Sequence, residues 1–279
     1  MISRLQRRWS TMHAFAATGL TLTDRVALAY AGFARHRPFG GESLYARVGR
    51  TLCRAVTPRV APAGGARLRL DLTSFVDPMI YEEIFVDGIY PLEFVPFAPD
   101  LVVDCGACHG MFTLLARARF PTARLVAFEP EPANFARLQE NFALNYSGPE
   151  AVRAAVGLAA GHVRFTGSGF GGHVLGAEET GDIEVAVVSL PEFLRQARPQ
   201  YLVLKLDIEG AERELLPAIV PQLPPQTVIF LETHHDSAVC AAYLQPCLEA
   251  GFVDKIIRSR PPEPGKTMEY VERLLMRHP

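Results

Sequence analysis

The sequence predicts an α/β fold: a mostly parallel sheet with helices on both faces. Three observations carry that expectation. Short apolar runs at Leu101–Asp104, Leu125–Glu129, Tyr201–Asp207 and Thr227–Glu232 alternate with segments of helical apolar spacing. The runs are apolar at nearly every position, as strands covered on both faces must be. A chain of 279 residues, 49% of them apolar, can bury one large core with an extension, or two small ones.

Taken in order, residues 1 to about 60 read as helical, with Val26, Leu28, Ala29, Ala31 and Phe33 set among arginines and Pro38-Phe39-Gly40-Gly41 breaking the run. The loop signal from Pro58 to Gly65 divides a basic, mainly helical extension (1–70) from an α/β domain (71–279). There, strand Leu101–Asp104 feeds a glycine turn and a helix over Phe112–Arg119, which stops before Pro121. Strand Leu125–Glu129 leads to a helix over Pro132–Asn145, with Phe135, Leu138 and Phe142 on one face, and Ala151–Val156 is the third strand. His162–Thr166 and Ile183–Val188 read as antiparallel excursions around the glycine-rich loop Gly167–Gly176. The alternation resumes with strand Tyr201–Asp207, helix Ala211–Ile219, strand Thr227–Glu232 and helix Ser237–Ala250, which Gly251 ends and Pro246 should kink. Val253–Arg258 and Tyr270–Met276 close the sheet, and no internal repeat is present.

The net charge of -2 conceals an asymmetry. Residues 1–70 hold twelve arginines, no lysine and two carboxylates, a net of +10, while the remainder carries 16 basic and 28 acidic residues, a net of -12. Such an arm suits an anionic surface or the acidic body of its own chain. Nucleic acid is not expected, because a basic arm that grips RNA interleaves exposed aromatics with its charges and Trp9 stands alone. Thr11–Leu20 is interrupted by His13 and soon followed by Asp24 and Arg25, a weak signal peptide and too short a membrane span. Five scattered cysteines suit a reducing, cytoplasmic setting.

Two chemistries can be read in the stretch Leu101–Gly110. Cys105-x-x-Cys108-His109 spells an attachment signature for c-type haem, but that chemistry needs export and an exposed loop, whereas Cys105 abuts a buried strand. Zinc on these cysteines with His234 or His235 lacks a second well-spaced ligand pair. The other reading is a strand ending in Asp104 that enters a turn through Gly106, Ala107 and Gly110, a place where open α/β sheets bind ligands. A pyrophosphate would favour Gly-x-Gly-x-x-Gly. Asp104 instead suits a cationic amino acid, such as the sulfonium and ammonium of S-adenosylmethionine. Glu129, nineteen residues after Gly110, can accept the ribose hydroxyls of either NAD or S-adenosylmethionine.

A second cluster follows the next two strands: Asp207 and Glu209, then Glu232 and His234. Residues two apart on a strand face the same side. Carboxylates with an imidazole serve as a general base or as ligands for a divalent ion. The plainer alternatives are helix capping by Asp207 and an ion pair at Lys205.

From about Asp71 to Met276 these pieces, in this order and spacing, resemble the FkbM-type S-adenosylmethionine-dependent methyltransferases. The resemblance lies in Val103–Gly110, Phe128-Glu129-Pro130-Glu131-Pro132 with Asn134-Phe135 and Leu138, Ser189–Leu194, Lys205–Glu212, and Glu232-Thr233-His234. It implies a Rossmann-like class I methyltransferase fold with a seven-stranded, mostly parallel sheet, and methyl transfer to a hydroxyl of a sugar, glycan or secondary metabolite. By position, Asp104, Gly106, Ala107 and Gly110 would hold the amino-acid end of the cofactor, Glu129 the ribose, and Ala155 and Val156 the adenine. Tyr81 and Tyr90 would close over cofactor or substrate. Asp207 or His234 would be the base, with Glu209 and Glu232 orienting the acceptor and His109, facing solvent, a lesser candidate. A divalent metal is possible on the same side chains but is not predicted. Pro191 stands where the family has an aspartate, and residues 1–70 fall outside the match. The competing functions are an NAD-dependent oxidoreductase and a cofactor-binding module without catalysis.

Overall fold

The computed structural model describes residues 4–34, 59–60, 66–72, 76–145, 148–166, 173–174, 183–260 and 269–277. They fall into two units, one drawn from Met1–Gly88 and Glu140–Ser147, the other from Ile89–Gln139 and Gly148–Pro279. In the first, helices Arg4–Thr18 and Leu22–Ala34 are followed by the antiparallel pair β1 (Arg59–Val60) and β2 (Leu68–Arg69). Thr21 and Asp24 cap the second helix reciprocally, each backbone amide donating to the other's side-chain oxygen at 2.9 and 3.1 Å. Asn141 accepts from the Arg69 amide at 2.9 Å and Asn145 from the Arg67 amide at 2.8 Å. Phe15, Leu28 and Tyr81 are fully buried there. The helical expectation for 35–58 lies outside the described residues, and 59–60 is strand.

The second unit is built on β3 (Leu101–Cys105), β4 (Arg124–Phe128), β5 (Glu150–Val152), β6 (Ala155–Gly157), β7 (Gly161–Thr166), β8 (His173–Val174), β9 (Ile183–Ser189), β10 (Tyr201–Leu206), β11 (Gln226–Thr233), β12 (Phe252–Arg260) and β13 (Tyr270–Arg277). Seven of these form one sheet in the order β12-β13-β11-β10-β3-β4-β5. β5, β4, β3, β10 and β11 are parallel, and β13 runs against both β11 and β12. This is the seven-stranded class I methyltransferase sheet that the resemblance implies. Helices Met111–Arg119, Pro132–Ala143, Leu190–Ala197, Glu212–Ile219 and Ser237–Glu249 connect the strands.

The apolar runs behave as their composition requires. β3 is buried at every position, and Leu202, Leu204, Leu206, Ile229 and Leu231 join Val103, Val126 and Phe128 in one core. From β3 the chain builds outward through β4 and β5, then returns to lay β10 on the opposite side of β3. That reversal opens the crevice in which open α/β sheets hold their ligands, at the carboxyl ends of β3 and β10. Cys105 and Leu206 are register partners, so the turns after these two strands emerge side by side.

The third strand departs from the sequence reading. Ala151–Val156 is not continuous: β5 ends at Val152, and Ala155 and Val156 begin β6, which pairs in parallel with β9 in a separate four-stranded sheet. The break is a tight turn in which the Ala154 amide donates to the Val152 carbonyl at 3.0 Å. The antiparallel excursion is present as β7 against β9. Most of the loop Gly167–Gly176 lies outside the described residues.

Candidate active site

Gly106 leaves β3 with φ of +79°. A Cβ there would lie 1.8 Å from the Asp207 carbonyl oxygen, so glycine is required by the close approach of the two turns. Gly110, with φ of +76°, opens helix Met111–Arg119, and Cys108 between them also has a positive φ of +47°. The Gly106 and Ala107 amides both donate to the Phe128 carbonyl, at 3.0 and 2.9 Å. The Cys108 amide donates to Glu129 Oε2 at 2.7 Å, and the Gly110 amide to the Ala107 carbonyl at 2.7 Å. Four amides of the turn are thus committed within the protein. A pyrophosphate cradle needs such donors free.

Glu129 lies at the end of β4, buried, with Oε1 accepting from the Glu131 amide at 2.9 Å. Burial raises its carboxyl above the usual carboxylate range, against the hydrogen bonds from Glu131, Cys108 and Asn134. His109 does not face solvent as the sequence reading has it. It is buried, with Nε2 3.2 Å from Asn134 Oδ1, because the turn folds it back on helix Pro132–Ala143.

Asp104 is fully buried and directed into the protein. Its Oδ2 accepts from Thr113 Oγ1 at 2.5 Å, and its Oδ1 lies 3.3 Å from Lys205 Nζ. Lys205 also donates to the Gly106 carbonyl at 2.8 Å and reaches Asp207 Oδ2 at 3.3 Å. Burial pulls this ammonium down, but Asp207, with Asp104, outweighs it and holds it well above its ordinary range. One buried cation therefore ties the glycine turn to both aspartates.

The second cluster assembles after β10 and on β11. His234 is buried, and its Nδ1 lies 3.2 Å from Glu212 Oε1. Its Nε2 faces Asp207 Oδ1 and Glu209 Oε2, each at 3.7 Å, and Glu232 Oε1 at 3.9 Å. Burial lowers the imidazole, but Glu212, Asp207 and Glu232 together push it up to about 10. Burial first, then Asp207 and Glu272, push the Glu232 carboxyl up to about 8, against His234 and Arg260. Arg260 Nη2 donates to Glu232 Oε1 at 2.7 Å and to Glu272 Oε1 at 3.1 Å.

The four side chains named from the sequence are thus brought together, three carboxylates around the His234 imidazole. Capping does not explain Asp207: the helix Glu212–Ile219 has no side-chain cap at Ala211, and its own Glu212 folds back to accept from the Ile208 and Gly210 amides at 2.7 and 2.8 Å. The ion pair offered for Lys205 is present, with Asp104 and Asp207; Glu212, Arg260 and Glu272 were not singled out as site residues by sequence reasoning. Lys205 had a signal, a charge inside an apolar run; Glu272 had none until β13 set it opposite Glu232.

Of the remaining candidates, Tyr90 adjoins the site, its ring centroid 5.9 Å from Lys205 Nζ. Tyr90 is buried in the larger unit against Phe112 and Phe230, with ring centroids 4.9 and 5.8 Å away. Tyr81 is fully buried in the N-terminal unit, where its hydroxyl donates to Thr18 Oγ1 at 2.7 Å. Ala155 and Val156 are buried in the second sheet. Cys105 and Cys108 are free thiols, the former fully enclosed at the end of β3. Among the described residues, no helix is long and apolar enough to cross a membrane.

The family described as the methyltransferase FkbM domain matches residues 104–255, from the end of β3 into β12. Methyltransferase 1 of Beauveria bassiana is 33% identical over 163 residues, which cover 49% of this chain and 65% of the relative. The chain thus spans a little under two thirds of that protein. The 31-O-demethyl-FK506 methyltransferase FkbM of Streptomyces tacrolimicus is 30% identical over 175 residues, covering 50% of this chain and 67% of the relative. Among solved structures, methyltransferase FkbM from Methylobacillus flagellatus aligns over 97% of this chain and 59% of its own, at 14% identity and a TM-score of 0.45.

Proposed function

The chain belongs to the FkbM methyltransferase family, and we propose that it methylates a hydroxyl oxygen on a sugar or secondary metabolite. The observation that carries this reading is the grouping of Asp207, Glu209 and Glu232 around His234 Nε2, beside the glycine turn of β3. Oxygen transfer needs a base, because a hydroxyl must lose its proton as it takes the methyl group. The name of the Streptomyces tacrolimicus relative, a 31-O-demethyl-FK506 methyltransferase, supports an oxygen acceptor on a secondary metabolite.

The residues present fit S-adenosylmethionine better than a dinucleotide. The turn's amides are committed inside the protein, and a buried carboxylate, Glu129, stands at the end of β4 where ribose hydroxyls are held. When bound, the cofactor supplies an electrophilic methyl group on a sulfonium. Glu129 and the Gly106–Gly110 turn would hold it, and Asp104 acts from within through Thr113 and Lys205. Ala155 and Val156 remain the candidates for the adenine. Asp207 takes the acceptor proton, with Glu209 and Glu232 orienting the hydroxyl; His234, the other base named from the sequence, is held protonated by the carboxylates around it and positions Asp207 instead.

Calorimetry with S-adenosylhomocysteine and NAD in parallel tests the cofactor; binding of NAD alone overturns the reading. Labelled methyl transfer to a panel of hydroxylated metabolites then identifies the acceptor. Asp207→Asn and His234→Ala are expected to keep S-adenosylhomocysteine binding and lose transfer. Unchanged transfer in both removes the assigned base, and a chain that binds the cofactor but methylates nothing with a hydroxyl favours a module without this activity.

A further inference from the structure

We propose that His234 Nε2, Asp207 and Glu232 hold a divalent cation. Each offers one ligand atom, and these atoms all lie within 4.8 Å of one another. A direct hydrogen bond from Nε2 to a carboxylate oxygen would span about 2.7–3.2 Å. Here the three oxygens facing Nε2 stand at 3.7, 3.7 and 3.9 Å, beyond hydrogen-bonding reach, although the His234 side chain is only 4% exposed. Ligands that share one ion through bonds of roughly 2.0–2.2 Å lie about 3–4 Å apart.

The imidazole itself is prepared as a ligand. Nδ1 is engaged by Glu212 Oε1 at 3.2 Å, which fixes the ring and turns Nε2 toward the carboxylates. A carboxylate behind the far ring nitrogen is the usual support of a metal-bound histidine. Glu212 is anchored in turn by the Ile208 and Gly210 amides, so its carboxylate is held in place behind the ring.

Charge points the same way. Asp207, Glu212 and Glu232 face His234, and two cations among the described residues are shared with other carboxylates, Lys205 with Asp104 and Arg260 with Glu272. A dication answers that surplus. One imidazole with carboxylates suits a first-row ion such as Mn2+ or Zn2+ better than Ca2+, which prefers six to eight oxygens. The link to catalysis rests on the O-methyltransferase reading: an acceptor hydroxyl that completes the coordination gives up its proton more readily, and with Asp207 and His234 engaged by the ion that proton passes to Glu209.

The test is a titration of the metal-stripped full chain with Mn2+, following the free-ion electron paramagnetic resonance signal. Saturable binding of one ion per chain is expected, weakened at least tenfold in Glu232→Gln and unchanged in Glu249→Gln on the far end of helix Ser237–Glu249. Binding that does not saturate, or equal affinity in Glu232→Gln and the native chain, overturns the proposal. Should Glu232→Gln not fold, nuclear magnetic resonance of the native chain decides: Mn2+ should broaden the His234 ring signals first, and even broadening of all histidines rejects the site. S-adenosylhomocysteine binding is measured on the same stripped sample, so failure of the cation and failure of the cofactor reading are separate results.

Discussion

Gly106→Ala gives a quantitative test of how the two turns fit, with Gly251→Ala as its partner. Both glycines have left-handed φ, +79° and +85°. An alanine at either position takes on backbone strain of about 1–2 kcal/mol. At Gly251 nothing lies within 4 Å of the added methyl, so strain is the whole penalty. At Gly106 the methyl must retreat from 1.8 Å to at least 3.0 Å from the Asp207 carbonyl oxygen. That oxygen is backbone and cannot rotate aside, so overpacking of about 1–3 kcal/mol is added. The reduced freedom of the unfolded chain favours alanine by about 0.4–1 kcal/mol in both variants and cancels in the comparison. Gly106→Ala should therefore be less stable than Gly251→Ala by about 1–3 kcal/mol, or about 2–12 °C in melting temperature for a domain of this size. Differential scanning calorimetry reads the gap, and S-adenosylhomocysteine binding should weaken only in Gly106→Ala. Equal melting temperatures in the two variants would refute the close approach of the β3 and β10 turns.

Lys205→Met leaves Asp104 buried with Thr113 alone, and urea denaturation should show a loss of about 3–5 kcal/mol; a loss under about 1 kcal/mol would show that the ammonium is not what holds the turn. Glu212→Gln leaves an oxygen for only one of the Ile208 and Gly210 amides, which donate to Oε1 and Oε2 separately, sets an NH2 against the other and removes the charge beside His234, so stability should fall by about 1–3 kcal/mol with S-adenosylhomocysteine affinity retained. Glu129→Gln should weaken that affinity by about ten- to a hundredfold, about 1.4–2.8 kcal/mol, in calorimetry; unaltered affinity removes Glu129 from the ribose site.

Much of the sheet could be read because burial on both faces leaves a plain mark. β3, β10 and β11 are runs of apolar residues, and their glycine and acidic endings place the site at their carboxyl edge. The split of the third strand could not be read so directly. Ala151–Val156 has one continuous apolar character apart from Arg153, and only the turn at Val152–Ala154 sends the chain into another sheet. Side-chain direction was harder still. His109 looks like a polar turn residue, yet the left-handed backbone at Cys108 and Gly110 goes with a buried ring beside Asn134. Glu212 reads as an acidic residue in a first helical turn, a favourable place on dipole grounds. It closes the Ile208–Gly210 turn, and its second task, orienting His234, depends on a residue just past β11 that adjacent-residue patterns do not reach.

The sign of charge at the crevice separates the functions that sequence patterns leave side by side. A dinucleotide brings a doubly anionic pyrophosphate to a turn whose Gly106, Ala107, Cys108 and Gly110 amides are already engaged, near a group of carboxylates. A sulfonium cofactor meets acceptors instead. Attraction to the sulfonium alone would not speed transfer, because that charge fades as the methyl group leaves, and only interactions that strengthen toward the transition state accelerate a step. On the O-methyltransferase reading the useful carboxylates are those at the acceptor, whose oxygen becomes positive as it accepts carbon before its proton departs. Asp207, Glu209 and Glu232 converge on one point at His234 Nε2, while Lys205 ties Asp104 and Asp207 back to the turn. On that reading the arrangement concentrates negative charge where the acceptor hydroxyl is proposed to react.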